Sequence, residues 1–250
     1  MSEEIVVVRR DAVAAIQFNR PQRRNALTAE MYAAMAQALR EADADSSVRV
    51  VLFHGTDDAF TAGNDLGDFV QRPPSDENAP VFRLLLAVTA ARKPLVAAVE
   101  GVAVGLGTTL LLHCDLVYAA EDARFSLPFT RLGLVPEFGS SYLLPLVAGY
   151  QRAAELLLLG EPFDAAQAHA AGIVTRIVPH GQALDTAWDA AKKLGALPAE
   201  SVYLTRELMK EPHRSAVAQQ MRVEGEHFRA LLERPAAREA LAAFLEKRKK

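Results

Sequence analysis

The stretch from Leu95 to Asp115 decides the fold and reads Leu-Val-Ala-Ala-Val-Glu-Gly-Val-Ala-Val-Gly-Leu-Gly-Thr-Thr-Leu-Leu-Leu-His-Cys-Asp. Its apolar first part, Leu95 to Glu100, predicts a β-strand, and the glycine-rich turn that follows leads into an apolar helical pattern. Glycine lets a ligand approach the backbone closely, and the first N–H groups of a helix have no partner within the helix. The turn is therefore a candidate site for binding a ligand through backbone amides.

A second turn of the same kind lies upstream. Residues 59–69 read Ala-Phe-Thr-Ala-Gly-Asn-Asp-Leu-Gly-Asp-Phe; they follow an apolar strand, Val50 to His54, and lead into a short helical pattern. If the two turns face each other, one amide from each can hold a negative charge that develops on an oxygen atom.

A third segment places one acid among apolar and small residues. Residues 133–142 read Gly-Leu-Val-Pro-Glu-Phe-Gly-Ser-Ser-Tyr, with Glu137 between two glycines. Burial disfavours a charged carboxylate and raises its pKa, so that such a glutamate can take up and return a proton near neutrality. The alternative interpretation is a loop carboxylate near the start of a helix that begins around Ser140.

Strand and helix signals alternate along the chain and predict an α/β core. Ile5 to Arg9 and Val13 to Phe18 read as a β-pair, and Thr28 is a good N-cap for the helix that follows. Asp164 with Gln167 three residues later resembles a capping box. We expect residues 1–180 to form the α/β core and residues 181–250 to form a helical region, with helices over 184–194, 199–210, 217–232 and 236–246.

Composition is that of a globular protein. The chain has 250 residues, of which half are hydrophobic, so it can bury a large core. Its net charge is −3 with both signs interspersed, and we expect no nucleic-acid partner. Cys114 is the single cysteine, which suits a reducing compartment. The apolar segments are too short to span a bilayer and no signal-peptide pattern is visible, so we expect no membrane association and a cytoplasmic location.

Several local patterns favour structural roles over chemistry. His113, Cys114 and Asp115 are consecutive and cannot converge on one ion from a helix, so we predict no metal site. The pair Gly105 and Gly107 lacks the third glycine of a dinucleotide fingerprint. Ser140 and its neighbour lack the Gly-x-Ser-x-Gly elbow of serine hydrolases.

Three further carboxylates have open or structural interpretations. Asp65 and Asp68 follow the first glycine turn closely, and stabilisation of a helix N-terminus is the simpler account of both. Glu100 ends a predicted strand next to the second turn. It is either a structural carboxylate or a second acid near the site.

Taken in order, the motifs resemble those of the crotonase, or enoyl-CoA hydratase/isomerase, superfamily over almost the whole chain. They are Asn19-Arg20-Pro21 with Arg24-Asn25-Ala26-Leu27, Phe60-Thr61-Ala62-Gly63-Asn64-Asp65-Leu66, Ala97-Ala98-Val99-Glu100-Gly101 with Gly105-Leu106-Gly107, Cys114-Asp115-Leu116, Ala123-Arg124-Phe125, Leu132-Gly133-Leu134 and Ala170-Ala171-Gly172-Ile173-Val174.

This resemblance implies a spiral of β-β-α units with a helical C-terminal trimerisation region, assembled as a homotrimer or a dimer of trimers. It implies that the backbone amides of Asn64 and Leu106 form an oxyanion hole. An acyl-CoA thioester is the implied substrate, so coenzyme A is part of the substrate and no separate cofactor is expected. The residues implied to contact coenzyme A are Arg24, Ala26, Leu27, Ala62, Asp65 and Leu66.

The positions of the acids distinguish branches of the family. Thr109 and Phe129 stand where typical hydratases carry their two glutamates. The context of Glu137 is similar to that of the peroxisomal-type Δ3,Δ2-enoyl-CoA isomerases, in which one glutamate moves a proton from C2 to C4. We therefore expect an isomerase. The alternatives are a hydratase or another crotonase-type reaction, in which Glu100 or Asp68 supplies an acid, and a non-catalytic acyl-CoA-binding oligomer.

Overall fold

The computed structural model describes residues 3–56, 58–72 and 78–247. Its strands are, in chain order, β1 Ile5–Arg10, β2 Val13–Phe18, β3 Val50–His54, β4 Ala59–Thr61, β5 Leu95–Val99, β6 Val102–Val104, β7 Leu116–Ala120, β8 Arg124–Ser126, β9 Phe163–Asp164 and β10 Arg176–Val178. They form a six-stranded sheet in the order β1-β2-β3-β5-β7-β10 and a four-stranded sheet in the order β4-β6-β8-β9.

Helices follow most of the strands. They are α1 Ala29–Ala44, α2 Leu66–Gln71, α3 Pro80–Ala90, α4 Leu106–Thr109, α5 Ser140–Ala148, α6 Tyr150–Ala154, α7 Ala165–Ala170, α8 Ala183–Ala196, α9 Ala199–Leu232 and α10 Pro235–Lys247. Helix α4 continues as a 3-10 helix over Leu110–His113, and α6 continues as a π-helical turn over Glu155–Leu159.

The two sheets share a repeating connection. Strands β3, β5 and β7 of the large sheet are each followed by a strand of the small sheet, β4, β6 and β8, and then by helix. The large sheet is parallel apart from β1, and β4, β6 and β8 are parallel to one another. This succession of β-β-α units confirms the predicted α/β spiral.

The large sheet is buried on both faces. One face packs against α1, α3 and the small sheet, where the rings of Phe18 and Phe60 meet edge to face at 5.0 Å. The other face is covered by α8, which places Trp188 and Ala187 over Val96. Parallel strands buried on both faces require nearly continuous apolar sequence, which explains the uninterrupted run of residues in β5.

Predicted helix starts are confirmed where a side chain caps the helix. Thr28 precedes α1, and its hydroxyl accepts a hydrogen bond from Met31 N at 3.3 Å. At the start of α7 the side chains of Asp164 and Gln167 form the expected capping box. The division of the chain at residue 180 stays a prediction.

One helix prediction is wrong. Residues 199–210 and 217–232 were expected to form two helices, and the structure has one helix of 34 residues with Pro212 inside it. A proline inside a helix costs roughly 3 kcal/mol because it removes a hydrogen bond. Contacts on both sides of Pro212 offset this cost: Arg206 Nε lies 2.7 Å from Asp115 Oδ2, and Glu224 binds the segment before α5.

Across the part of the chain that the structure describes, no helix has both the length and the apolar composition needed to cross a membrane.

Candidate active site

The two glycine turns lie side by side at the carboxyl ends of the parallel strands β4 and β6, where Thr61 pairs with Ala103. A Cβ atom on Gly63, whose φ is +79°, would lie 2.7 Å from the carbonyl oxygen of Val104. A Cβ atom on Gly107 would lie 2.5 Å from Thr61 Cγ2. Only glycine fits at either position, and the close approach brings the two turns together as predicted.

The turns leave two backbone donors available. Leu27 N donates to Gly63 O at 2.8 Å, and Asp65 N donates to Leu27 O at 2.9 Å, so the backbone on both sides of Asn64 is fixed. Within the described ranges, neither the Asn64 N–H nor the Leu106 N–H has an acceptor. Leu106 is the first residue of α4, where N–H groups have no intrahelical partner. The oxyanion-hole assignment stays a prediction, which this arrangement supports.

Glu137 lies in the loop before α5 and is partly exposed. Its Oε1 accepts a hydrogen bond from Thr109 Oγ1 at 2.5 Å. Burial of the carboxyl group, helped by the negative charge of Glu224, raises the pKa of Glu137 to about 8, although the Thr109 hydrogen bond acts in the opposite direction. Both protonation states are therefore accessible near neutral pH, as a residue that takes up and returns a proton requires.

The backbone that carries Glu137 is held in an uncommon conformation. Phe138 has a φ of +63°, which is rare for a residue with a Cβ atom and is often found at functional sites. Its carbonyl oxygen accepts a hydrogen bond from His113 Nε2 at 2.7 Å, and the two rings stack with centroids 3.9 Å apart. Burial lowers the pKa of His113 to about 4, so the ring is neutral and supports the loop structurally.

Tyr32 binds the first glycine turn and is close enough to Glu137 to be affected by its charge. It is buried on α1, and its hydroxyl donates a hydrogen bond to Asn64 Oδ1. Burial and the nearby carboxylate of Glu137 raise the pKa of Tyr32. The sequence analysis did not select Tyr32, although a tyrosine on an apolar helix face is a signal that its hydroxyl has a buried partner.

Glu224 is the second residue that the sequence analysis missed. It is buried on α9, and its carboxylate accepts hydrogen bonds from the backbone N–H groups of Gly139 and Ser141 at 2.6 and 2.9 Å. Because Glu224 is far from Glu137 along the chain, no local motif could have linked the two.

The six residues predicted to contact coenzyme A lie together, because the segment 24–27 pairs with the segment 62–65. Ala62 N donates to Arg24 O at 2.9 Å, and Arg20 Nη1 bridges Ala26 O and Asp65 Oδ2 at 2.9 and 2.7 Å. Arg24 is exposed, whereas the side chains of Ala26 and Leu27 are buried and leave only their backbone to a ligand. Coenzyme A binding by this group stays a prediction.

Asp65 and Asp68 stabilise helix starts, as expected. Asp65 Oδ1 accepts from Gly67 N at 3.0 Å and caps α2. Asp68 Oδ2 accepts from Ala29 N at 2.8 Å, and its other oxygen pairs with Arg72. Both carboxylates are occupied by these bonds.

Asp115 also has a structural role. Its Oδ2 accepts from Leu95 N and from Arg206 Nε, each at 2.7 Å, and it thereby joins β5 to α9. Burial raises the pKa of the neighbouring Cys114 thiol to about 12, so this thiol is a poor nucleophile.

Glu100 caps a helix. Its Oε1 accepts from Ala183 N at 2.9 Å and its Oε2 accepts from Gly181 N at 3.3 Å, at the start of α8, where Gln182 provides no side-chain cap. Its carboxylate also lies near His180 and Asp122, and the three side chains have ligand atoms within 4.8 Å of one another. The absence of a metal site stays a prediction.

Replacing Glu100 by Ala is expected to destabilise the fold without removing activity. Loss of a helix cap costs about 1 kcal/mol, which corresponds to a fall in Tm of about 2–4 °C for a chain of this size. Thermal unfolding and turnover at a temperature well below Tm measure the two effects separately. If activity is lost while Tm is unchanged, Glu100 takes part in catalysis.

Comparison with known proteins identifies the family. The family model described as "Enoyl-CoA hydratase/isomerase" matches residues 9–250. This chain belongs to the enoyl-CoA hydratase/isomerase family. It is 35% identical to a 1,2-epoxyphenylacetyl-CoA isomerase from Escherichia coli (strain K12), over 94% of this chain and 93% of that one.

Two further comparisons cover most of this chain. The chain is 36% identical to enoyl-CoA delta isomerase 2 from Homo sapiens over 85% of its own length, and it spans about half of that protein (55%). The solved structure of OdaA from Pseudomonas aeruginosa superposes with a TM-score of 0.95 at 45% identity, covering 97% of this chain and 99% of that one. The resemblance seen in the motifs is thereby confirmed.

Proposed function

We propose that this protein is a Δ3,Δ2-enoyl-CoA isomerase in which Glu137 is the only catalytic acid and base. The observation that carries the proposal is the carboxyl group of Glu137, which Thr109 of α4 binds and whose pKa burial raises to about 8. The two hydratase positions hold no acid: Thr109 donates a hydrogen bond to Glu137, and Phe129 is buried. Moving a double bond needs one group that carries one proton, whereas adding water needs groups that also position the water.

The proposed reaction has two proton transfers. Glu137, as carboxylate, removes a proton from C2 of a 3-enoyl thioester, and the electron pair moves onto the thioester oxygen to give a dienolate. The N–H groups of Asn64 and Leu106 stabilise that oxygen. Glu137 then returns the proton at C4, which leaves the double bond between C2 and C3.

The contacts of Glu137 suit this exchange. Thr109 binds Oε1, and within the described part of the chain no hydrogen bond reaches Oε2. Oε2 is therefore the oxygen that carries the proton, while Thr109 keeps the carboxyl group oriented. Coenzyme A would lie along the segments 24–27 and 62–65, where the exposed side chain of Arg24 can face its anionic groups.

A second candidate is isomerisation of an epoxidised phenylacetyl-CoA. It is favoured by the 35% identity, over nearly the full length of both chains, to the Escherichia coli protein of that name. One acid–base residue and an oxyanion hole suit this reaction class as well, since it is also an isomerisation of a CoA thioester.

The quaternary structure belongs to the same proposal. Helix α9 exposes Leu204, Leu208 and Met209, and Leu197 just before it is also exposed. An apolar surface of this kind suits the homotrimer, or dimer of trimers, that the sequence predicts. The cytoplasm remains the expected location.

The test is a turnover assay that offers a 3-enoyl-CoA, a 2-enoyl-CoA and an epoxidised phenylacetyl-CoA in parallel. We expect the 3-enoyl substrate to become conjugated and the 2-enoyl substrate to remain unhydrated. Hydration without migration would overturn the proposal in favour of a hydratase. Turnover of the aromatic substrate alone would favour the second candidate, and binding of thioesters without turnover would favour a binding protein.

A further inference from the structure

Glu224 is buried on α9 with 4% of its surface exposed, and it points at the segment that follows Glu137. Its Oε2 accepts from Gly139 N at 2.6 Å, and its Oε1 accepts from the backbone N–H of Ser141 at 2.9 Å and from the hydroxyl of the same residue. The donors are amides and a hydroxyl group, so these hydrogen bonds do not neutralise the negative charge of Glu224.

These bonds replace a missing helix cap. The N-cap residue of α5 is Gly139, which has no side chain to bind the first N–H groups of the helix. Glu224 binds them from another element, and the partial positive charge of a helix N-terminus favours a carboxylate there. On the other side, the carbonyl of Glu137 accepts from Ser140 N at 3.1 Å and from Ser140 Oγ at 2.6 Å. The loop that carries Glu137 is thus fastened to α9.

Among the described residues, Glu224 is the charged group that, in addition to burial, raises the pKa of Glu137. Thr109 on α4 is neutral, and Tyr32 on α1 remains protonated because burial raises its pKa. His113, which binds the adjacent carbonyl, is neutral because burial lowers its pKa to about 4. Burial raises the pKa of Glu224 as well, and its hydrogen bonds from Ser141 and Gly139 act in the opposite direction. Because Glu224 has three donors and Glu137 has one, we assign the charge to Glu224 and the exchangeable proton to Glu137.

We propose that Glu224 is a positioning residue for Glu137: it holds the loop through the N-terminus of α5, and its negative charge makes Glu137 a stronger base. This inference rests on the proposed function only in taking Glu137 as the base. It implies that α9 affects the reaction through the loop that carries Glu137.

Glu224→Gln in the full-length protein tests the inference, because glutamine keeps the size and one acceptor oxygen but removes the charge. We expect kcat to fall about tenfold at high pH because the loop loosens. The acid limb of the kcat/KM profile is the range in which activity falls because the base becomes protonated. We expect this limb to move down by about 0.5 to 1 pH unit, because the negative charge of Glu224 no longer raises the pKa of Glu137. The activity of the variant relative to the wild type therefore rises as pH falls. An equal loss at every pH, or no change, would overturn the inference.

Two further variants test the direction of the pKa change in Glu137 and whether a restored negative charge reverses it. Thr109→Val removes the hydrogen bond that favours the carboxylate form of Glu137, so its acid limb should move up in pH. Glu224→Asp keeps the charge, and its limb should stay close to that of the wild type even if kcat falls. If the acid limb of Glu224→Asp lies at the same pH as that of Glu224→Gln, the charge of Glu224 does not set the basicity of Glu137.

A direct titration separates this inference from the proposed function. The carboxyl carbon of Glu137, assigned by its absence in Glu137→Gln, can be followed by ¹³C NMR in the wild type and in Glu224→Gln. A lower pKa in Glu224→Gln supports the inference whichever reaction the protein catalyses. An unchanged pKa overturns it even if isomerase activity is found.

Discussion

Glu137→Gln is expected to lower kcat for double-bond migration by about 10²- to 10⁴-fold, the range that a general acid–base residue contributes. Glutamine has nearly the same shape and can accept the Thr109 hydrogen bond, but it can neither remove the C2 proton nor deliver one to C4. The proposed oxyanion hole, formed by the amides of Asn64 and Leu106, is untouched, so a residual rate should remain. Steady-state kinetics with a 3-enoyl-CoA measures this loss.

Binding provides the internal control for this variant. The Kd for an unreactive acyl-CoA should change little, because Glu137 is proposed to act on the reacting carbons and the segments 24–27 and 62–65 are unchanged in this variant. Glu161→Gln is a matched substitution on the surface, where the side chain is 69% exposed, and it should leave kcat unchanged. Full activity in Glu137→Gln would show that another group is the base.

The site depends on how the fold combines elements that are distant in sequence. Strands β4 and β6 end side by side, which brings together the turns that carry the backbone amides of Asn64 and Leu106. Neither amide has an acceptor among the residues that the structure describes. Helix α4, which begins at the second of these amides, also carries Thr109, whose hydroxyl reaches Glu137. The second glycine turn and Glu137 are thus connected through one short helix, so a shift in one alters the geometry of the other.

The features that the sequence predicted well are those with a local physical cause. Gly63 and Gly107 could be identified because only a residue without a Cβ atom tolerates the contacts with Val104 and Thr61. Glu137 was selected because an isolated acid among apolar residues is unusual, and its catalytic role stays a prediction. The β-pair at the start of the chain and the cap at Thr28 follow from alternation and from N-cap chemistry, which act within a few residues.

The features that escaped the sequence analysis depend on contacts over long separations. Residues 199–210 and 217–232 were expected to form two helices, and the bonds from Arg206 to Asp115 and from Glu224 to Gly139 explain why one helix continues through Pro212. The function of Glu100 was undecided because its partners, the amides at the start of α8, follow much later in the chain. The sequence does not distinguish Glu100 from Glu224, because the role of each carboxylate depends on the distant hydrogen-bond donor that it binds.

The second large effect is on the pH dependence of turnover. The base must be deprotonated to act, so a raised pKa shifts the loss of activity towards higher pH. With the pKa of Glu137 near 8, kcat/KM should rise tenfold per pH unit and reach a plateau above that value. At about pH 6, two units lower, the rate should be about a hundredfold below the plateau. A glutamate with an ordinary pKa would show almost no change over this range.

Two measurements determine whether this profile belongs to Glu137. The Kd of an unreactive acyl-CoA, measured over the same range, removes any contribution from titration of the ligand. A substrate deuterated at C2 shows whether proton removal limits the rate at each pH. A flat kcat/KM profile together with a full isotope effect would mean that the base has an ordinary pKa. Burial of Glu137 would then not explain its proton exchange. A sloping profile with the same isotope effect would tie the basicity of the site to the burial of one carboxyl group.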